Sequence, residues 1–84
     1  MSPPPPDQDE SLAALGRVVS QVRKEAGLTQ EELARRAGLE EADVGRIESG
    51  QRNPTWGTVR KISYALDLPL PELIRRVEAL EREA

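Results

Sequence analysis

The chain contains no cysteine and no histidine, and a single tryptophan and tyrosine are the only aromatic residues among its 84. Without thiols there is no disulfide framework and no thiolate metal site. Without imidazole, serine–histidine and cysteine–histidine catalysis and histidine-ligated zinc are excluded, and no metal or cofactor is expected. No apolar run approaches the roughly 20 residues that span a bilayer. The N-terminus has no basic region followed by an apolar stretch, so it does not read as a signal peptide; a cytoplasmic protein is expected, with no membrane partner. A basic excess is missing too, because 12 Lys and Arg face 15 Asp and Glu, for a formal charge of −3.

That charge is unevenly spread. Asp7, Asp9 and Glu10 place −3 in residues 1–11, whereas residues 12–69 carry nine basic and eight acidic side chains. Residues 70–84 add three basic and four acidic ones. The body of the chain is therefore nearly neutral, and any contact with nucleic acid must depend on local patches. The length suits one domain, near the size at which a single core is marginal.

Residues 1–10 (MSPPPPDQDE) hold four consecutive prolines and nothing apolar to bury. They are expected to form a disordered, acidic tail with polyproline II character, leaving 11–84 as the domain. Ser11 can cap a first helix, in which Leu12, Leu15, Val19, Val22 and Ala26 recur at helical spacing as a buried stripe. Gly27 closes it. Thr29 can cap a second helix, with Glu32 placed to complete a capping box. Leu33, Ala34 and Ala37 share its inner face, and Gly38 ends it. A third helix follows over roughly Glu40 to Ser49, with Val44 and Ile47 inward and Gly50 as its stop. Thr55 caps a fourth helix, which turns Val59, Ile62 and Leu66 inward with Tyr64 and Ala65 flanking. Pro71 suits the first turn of a fifth, over about 71–83. The expected fold is all-α, with five helices.

Two short helices joined by a Gly-containing turn, Thr29 to Gly50, read as a helix-turn-helix, which presents its second helix to the DNA major groove. An ordinary two-helix hairpin in any small bundle would show the same pattern. The residue identities are more telling. Arg23, the GLTQEELA run at Gly27 to Ala34, Gly38 and the IESGQRNP run at Ile47 to Pro54 closely resemble the phage repressor/Cro-type (XRE-like) helix-turn-helix family. The resemblance covers about Leu15 to Leu73.

The resemblance implies roles for particular residues. Base reading would fall to exposed positions early in the third helix: Glu40, Glu41, Ala42, Asp43 and Arg46, with Glu41, Ala42 and Arg46 foremost. Arg46 fits guanine, whose O6 and N7 match its fork. Gln30, Arg52, Asn53 and Thr55 would contact phosphate, and Arg23 with Glu48 would form a structural ion pair tying the first helix to the third. Arg17, Arg35 and Arg36 read as solvated charges, and Trp56 as half-buried packing.

Three carboxylates at the start of the third helix depart from the family's usual polar-neutral choices. They can favour the helix dipole, accept from cytosine N4, or mark a surface that meets protein. Val77 and Leu80 lie beyond what four short helices easily cover, while Leu73 and Ile74 close the core. Val77 and Leu80 are therefore expected to form a homodimer interface. The function expected is a sequence-specific, double-stranded DNA-binding transcriptional regulator. Its compactness also resembles small controller proteins of restriction–modification systems and some antitoxins. The alternative is a protein-interaction module on the same fold. An enzyme is not expected: no pocket, metal ligand or nucleophile accompanies Glu40 and Glu41.

Overall fold

A computed structural model describes residues 3–83. It contains α1 (Gln8–Glu25), α2 (Gln30–Ala37), α3 (Glu41–Glu48), α4 (Trp56–Ala65) and α5 (Leu70–Glu83), and no strand among the described residues. The all-α, five-helix expectation is met. Among the described residues, no helix is long and apolar enough to cross a membrane.

The start of α1 differs from expectation. Asp7, not Ser11, caps it: the Asp7 carboxylate accepts from the Glu10 N–H at 2.8 Å. Asp9 and Glu10 then lie in the first turn, where carboxylates favour the helix dipole. Residues 8–10, assigned to the tail, are thus helical. Pro3 to Pro6 carry no regular secondary structure, and Met1 and Ser2 lie outside the described residues. Ser11, inside α1, donates its hydroxyl to Glu81 of α5 at 2.7 Å.

Four helices end in the same way. The Leu28, Leu39, Gln51 and Leu68 N–H groups bond back to the Arg23, Ala34, Arg46 and Ser63 carbonyls, at 3.1, 2.8, 2.8 and 3.0 Å. The residue before each is left-handed, three times a glycine and once Asp67 at φ 51°. This Schellman geometry turns the next residue back toward the helix it follows. Leu28 and Leu68 are buried as a result, and Leu39 is half-buried. Ser63 reinforces the last of these turns by donating to the Leu68 carbonyl at 2.6 Å.

The core centres on Val18, Val19, Leu33, Val44, Ile47, Ile62 and Leu73. On α1 the inner face is shifted from the expected stripe. Ala14, Val18, Val19 and Val22 are buried, Leu12 and Leu15 only half-buried, and Ala26 is exposed. The cause is that α1 is covered from two directions, by α3 and by α5.

The same arrangement reverses the expectation for α5. Val77 is buried, at 8% exposure, and Leu80 is half-buried against the core, while Ile74 stands out at 42%. The longer α1, starting at Gln8, packs against α5, and Ser11 reaches its last turn. Val77 is thereby buried within its own chain, and Leu80 partly so.

Gly16 has a role that its place in the helical pattern did not reveal. A Cβ there would lie 2.5 Å from the carbonyl oxygens of both Ile47 and Glu48, so α1 approaches the end of α3 at backbone distance. In an open helix Gly→Ala gains about 1 kcal/mol of propensity. Here overpacking of about 1–3 kcal/mol opposes it, because the obstacle is backbone. Gly16→Ala is expected to lower the melting temperature; a rise in a thermal melt would refute the close approach.

Candidate nucleic-acid interface

The interface is built from α2, the turn at Gly38 and α3. Thr29 caps α2: its hydroxyl accepts from the Glu32 N–H, and the Glu32 carboxylate accepts from the Thr29 N–H, both at 3.0 Å. That backbone donor, aided by the hydroxyl, holds the Glu32 carboxyl below its ordinary range. Gly38 then adopts φ 69°, a conformation that costs a Cβ-bearing residue steric strain and lets α3 leave in a new direction. Leu39 anchors the turn, and Glu40 precedes α3 without a side-chain cap.

α3 is two turns long, too short to persist alone. Val44 and Ile47 bury its inner face, which leaves Glu41, Ala42 and Arg46 exposed on the outer one. Its end is held by the expected ion pair. Arg23 Nε donates to Glu48 Oε2 at 2.6 Å and Nη2 to Oε1 at 3.0 Å, while Nη1 donates to the Leu28 carbonyl at 2.7 Å. The side chains are 10% and 7% exposed. Glu48's hydrogen bonds raise the Arg23 pKa above its ordinary value, so the charge is permanent. Gln30 joins the cluster, with Nε2 donating to Glu48 Oε1 at 3.0 Å. Its amide nitrogen is thus engaged inside the fold, bracing α3 from the first residue of α2.

The remaining positions form an exposed rim. Arg52 and Asn53 lie in the loop after α3, and the Thr55 hydroxyl caps α4 by accepting from the Thr58 N–H at 3.2 Å. Trp56 is not half-buried as expected but 62% exposed, because the first turn of α4 points it away from the core. Arg17, Arg35 and Arg36 are exposed, and Arg35 faces Glu31 at 3.9 Å.

One association was absent from the sequence reading. The loop returns Arg52 to α3, where its Nη1 lies 3.0 Å from Asp43 Oδ1; Arg46 Nη1 lies 3.6 Å from the same oxygen. The i,i+3 spacing of Asp43 and Arg46 foreshadows the second contact, but no local spacing signals the first.

A helix-turn-helix domain family model matches residues 14–77. The chain belongs to this family. It is a type of DNA-binding regulator and not an enzyme family. The chain is 37% identical over 60 residues to an uncharacterized HTH-type transcriptional regulator of Sinorhizobium fredii, covering 71% of this chain and 78% of that protein. It resembles the crystal structure of the restriction-modification controller protein C.AhdI from Aeromonas hydrophila. There the TM-score is 0.72 and the identity 39%, over 74% of this chain and 94% of that one. It also resembles the controller C.Esp1396I, solved as a tetramer with its natural 35 base-pair operator. That match has a TM-score of 0.80 at 25% identity, over 86% and 95% of the two chains.

Removing one partner of a buried ion pair leaves a desolvated charge, at a cost of about 3–5 kcal/mol. Glu48→Ala also strands Gln30 and is expected to depress the melting temperature sharply. An unchanged melt would contradict the architectural role.

Proposed function

We propose that this helix-turn-helix protein is a sequence-specific, double-stranded DNA-binding transcriptional regulator that acts in the cytoplasm. One observation carries the reading: α3 is held by Val44, Ile47 and Glu48 on its inner side, while Arg46 is exposed on the outer side with Arg52 brought beside it. That is the arrangement needed to put a helix into a major groove between phosphate contacts. The relatives' regulatory roles support it.

In this reading Arg46 forks onto guanine, and Glu41 and Ala42 face neighbouring base edges. Arg52 and Asn53 grip phosphate from the loop, with the starts of α2 and α4 adding backbone N–H groups beside Gln30 and Thr55. Arg52→Ala should weaken binding to all duplexes alike and lower the salt slope by about 1. Arg46→Ala should cost about 1–3 kcal/mol on a duplex selected from a random library, and relax preference at one base pair. Equal losses on selected and random duplexes would count against base readout.

A nearly neutral domain makes few phosphate contacts, so we also propose a homodimer reading two half-sites about one helical turn apart. Val77 is buried in the chain's own core and Leu80 is half-buried against it, so the monomer already uses part of the stripe expected at that interface. Val77→Glu is therefore expected to destabilise the fold instead of merely dissociating subunits. Sedimentation equilibrium reads the association state directly, and a wild-type monomer at working concentrations would exclude the dimer.

The exposed Glu40 and Glu41 at the entrance to α3 favour a second reading, a protein-interaction module without DNA readout. Absence of binding to any duplex at low salt would select it.

A further inference from the structure

The ion pairs at Asp43 connect two arginines to which the preceding reading gives different tasks. One carboxylate oxygen lies 3.0 Å from Arg52 Nη1 and 3.6 Å from Arg46 Nη1. Asp43 is held in place by its position in the first turn of α3, whereas both arginines are about half exposed. The loop is held as well. The Gln51 N–H bonds to the Arg46 carbonyl at 2.8 Å and the Gly50 N–H to the Ile47 carbonyl at 3.1 Å, which brings Arg52 back beside the helix.

We infer that Asp43 is a specificity-determining residue: its carboxylate occupies Arg46 and Arg52 in the free protein, and non-specifically bound phosphates must displace it. The inference rests on the DNA-binding reading. A phosphate that takes Arg52 or Arg46 replaces one anion by another, so the gain on a random duplex is small. On the preferred duplex, Arg46 gains a bidentate contact to guanine that a single carboxylate oxygen does not match. Breaking these pairs costs the same on any duplex, so the difference arises where one is kept: Nε and Nη2 of Arg46 fork onto guanine while Nη1 stays by Asp43, whereas phosphates on a random duplex draw both arginines away from it. The near-neutral charge of the body serves the same end, because non-specific affinity is almost wholly electrostatic.

Removing any acid near the interface would strengthen DNA binding by charge alone, so the control must carry the same charge change. Glu41 is exposed in the same helical turn and stands in none of the ion pairs among the described residues. The test compares Asp43→Asn with Glu41→Gln on a random-sequence duplex, where Glu41 has no preferred base to read, and Asp43→Asn with the wild type on the duplex selected from a random library. Asp43→Ala is added to exclude a new base contact by the asparagine amide, and thermal melts verify folding.

The expected result for Asp43→Asn and Asp43→Ala is about three- to tenfold tighter binding to the random duplex, the scale of two exposed ion pairs, and a steeper salt dependence. Glu41→Gln should change it less. The ratio of selected to random affinity should fall for both Asp43 variants relative to the wild type. In an Arg46→Ala/Arg52→Ala background, Asp43→Asn should add no more than Glu41→Gln does. Equal effects of Asp43→Asn and Glu41→Gln on the random duplex, or an unchanged ratio for Asp43→Asn, would overturn the inference and leave the DNA-binding reading intact. Failure of every variant and of the wild type to bind either duplex at low salt would overturn both.

Discussion

The guanidinium of Arg23 is the constraint around which this domain is arranged. It is nearly excluded from water, and three of its donors are satisfied by two oxygens of Glu48 and one of Leu28. Those acceptors come from the end of α3 and from the turn after α1, and Gln30 adds the start of α2. A buried ion pair is weak evidence for net stability, because desolvation offsets much of the attraction. What it imposes is orientation. Apolar contacts are non-directional and tolerate sliding, whereas a bidentate pair tolerates neither a shift nor a rotation of α3 relative to α1.

The surrounding packing makes that orientation possible. Gly16 lets the backbone of α1 reach the carbonyls of Ile47 and Glu48, two turns before Arg23 on the same helix, which brings the Glu48 carboxylate within reach of the guanidinium. Val44 and Ile47 hold the rest of α3. An eight-residue helix with no side-chain cap is therefore secured along its inner side and at its C-terminal end, and its outer face carries no packing duty. Residues there are free to be chosen for what they meet outside the protein. That separation lets one scaffold present different reading residues, and it accommodates the acidic entrance of α3 without structural penalty.

Electrostatics in this protein are accordingly local. The Arg23 charge is consumed internally, and Arg46 and Arg52 share Asp43. The chain presents no broad positive field, and its outer charges act through the pairs they make and exchange.

The helix-turn-helix is legible in the amino-acid order because its signals are local. Thr29 and Glu32 form a capping box between neighbours, Gly38 supplies a left-handed turn, and Val44 and Ile47 mark the inside of α3. The family resemblance added Arg23 with Glu48, a pair separated by 25 residues that no spacing rule finds. Tertiary structure decided the rest. Asp7 and Ser11 are both sound caps, and packing of α1 along α5 accompanies the earlier start. Ile74 and Val77 are equally apolar, and only the position of α1 makes Val77 the buried one. Nothing local marks Gly16 until the end of α3 lies against it, and Arg52, expected on phosphate, shows its pairing with Asp43 only once the chain reversal at Gly50 brings it back. The physical reason is common to all four. Hydrophobic period and capping describe a helix about its own axis, whereas the choice among equivalent local solutions depends on which neighbour arrives from elsewhere in the chain.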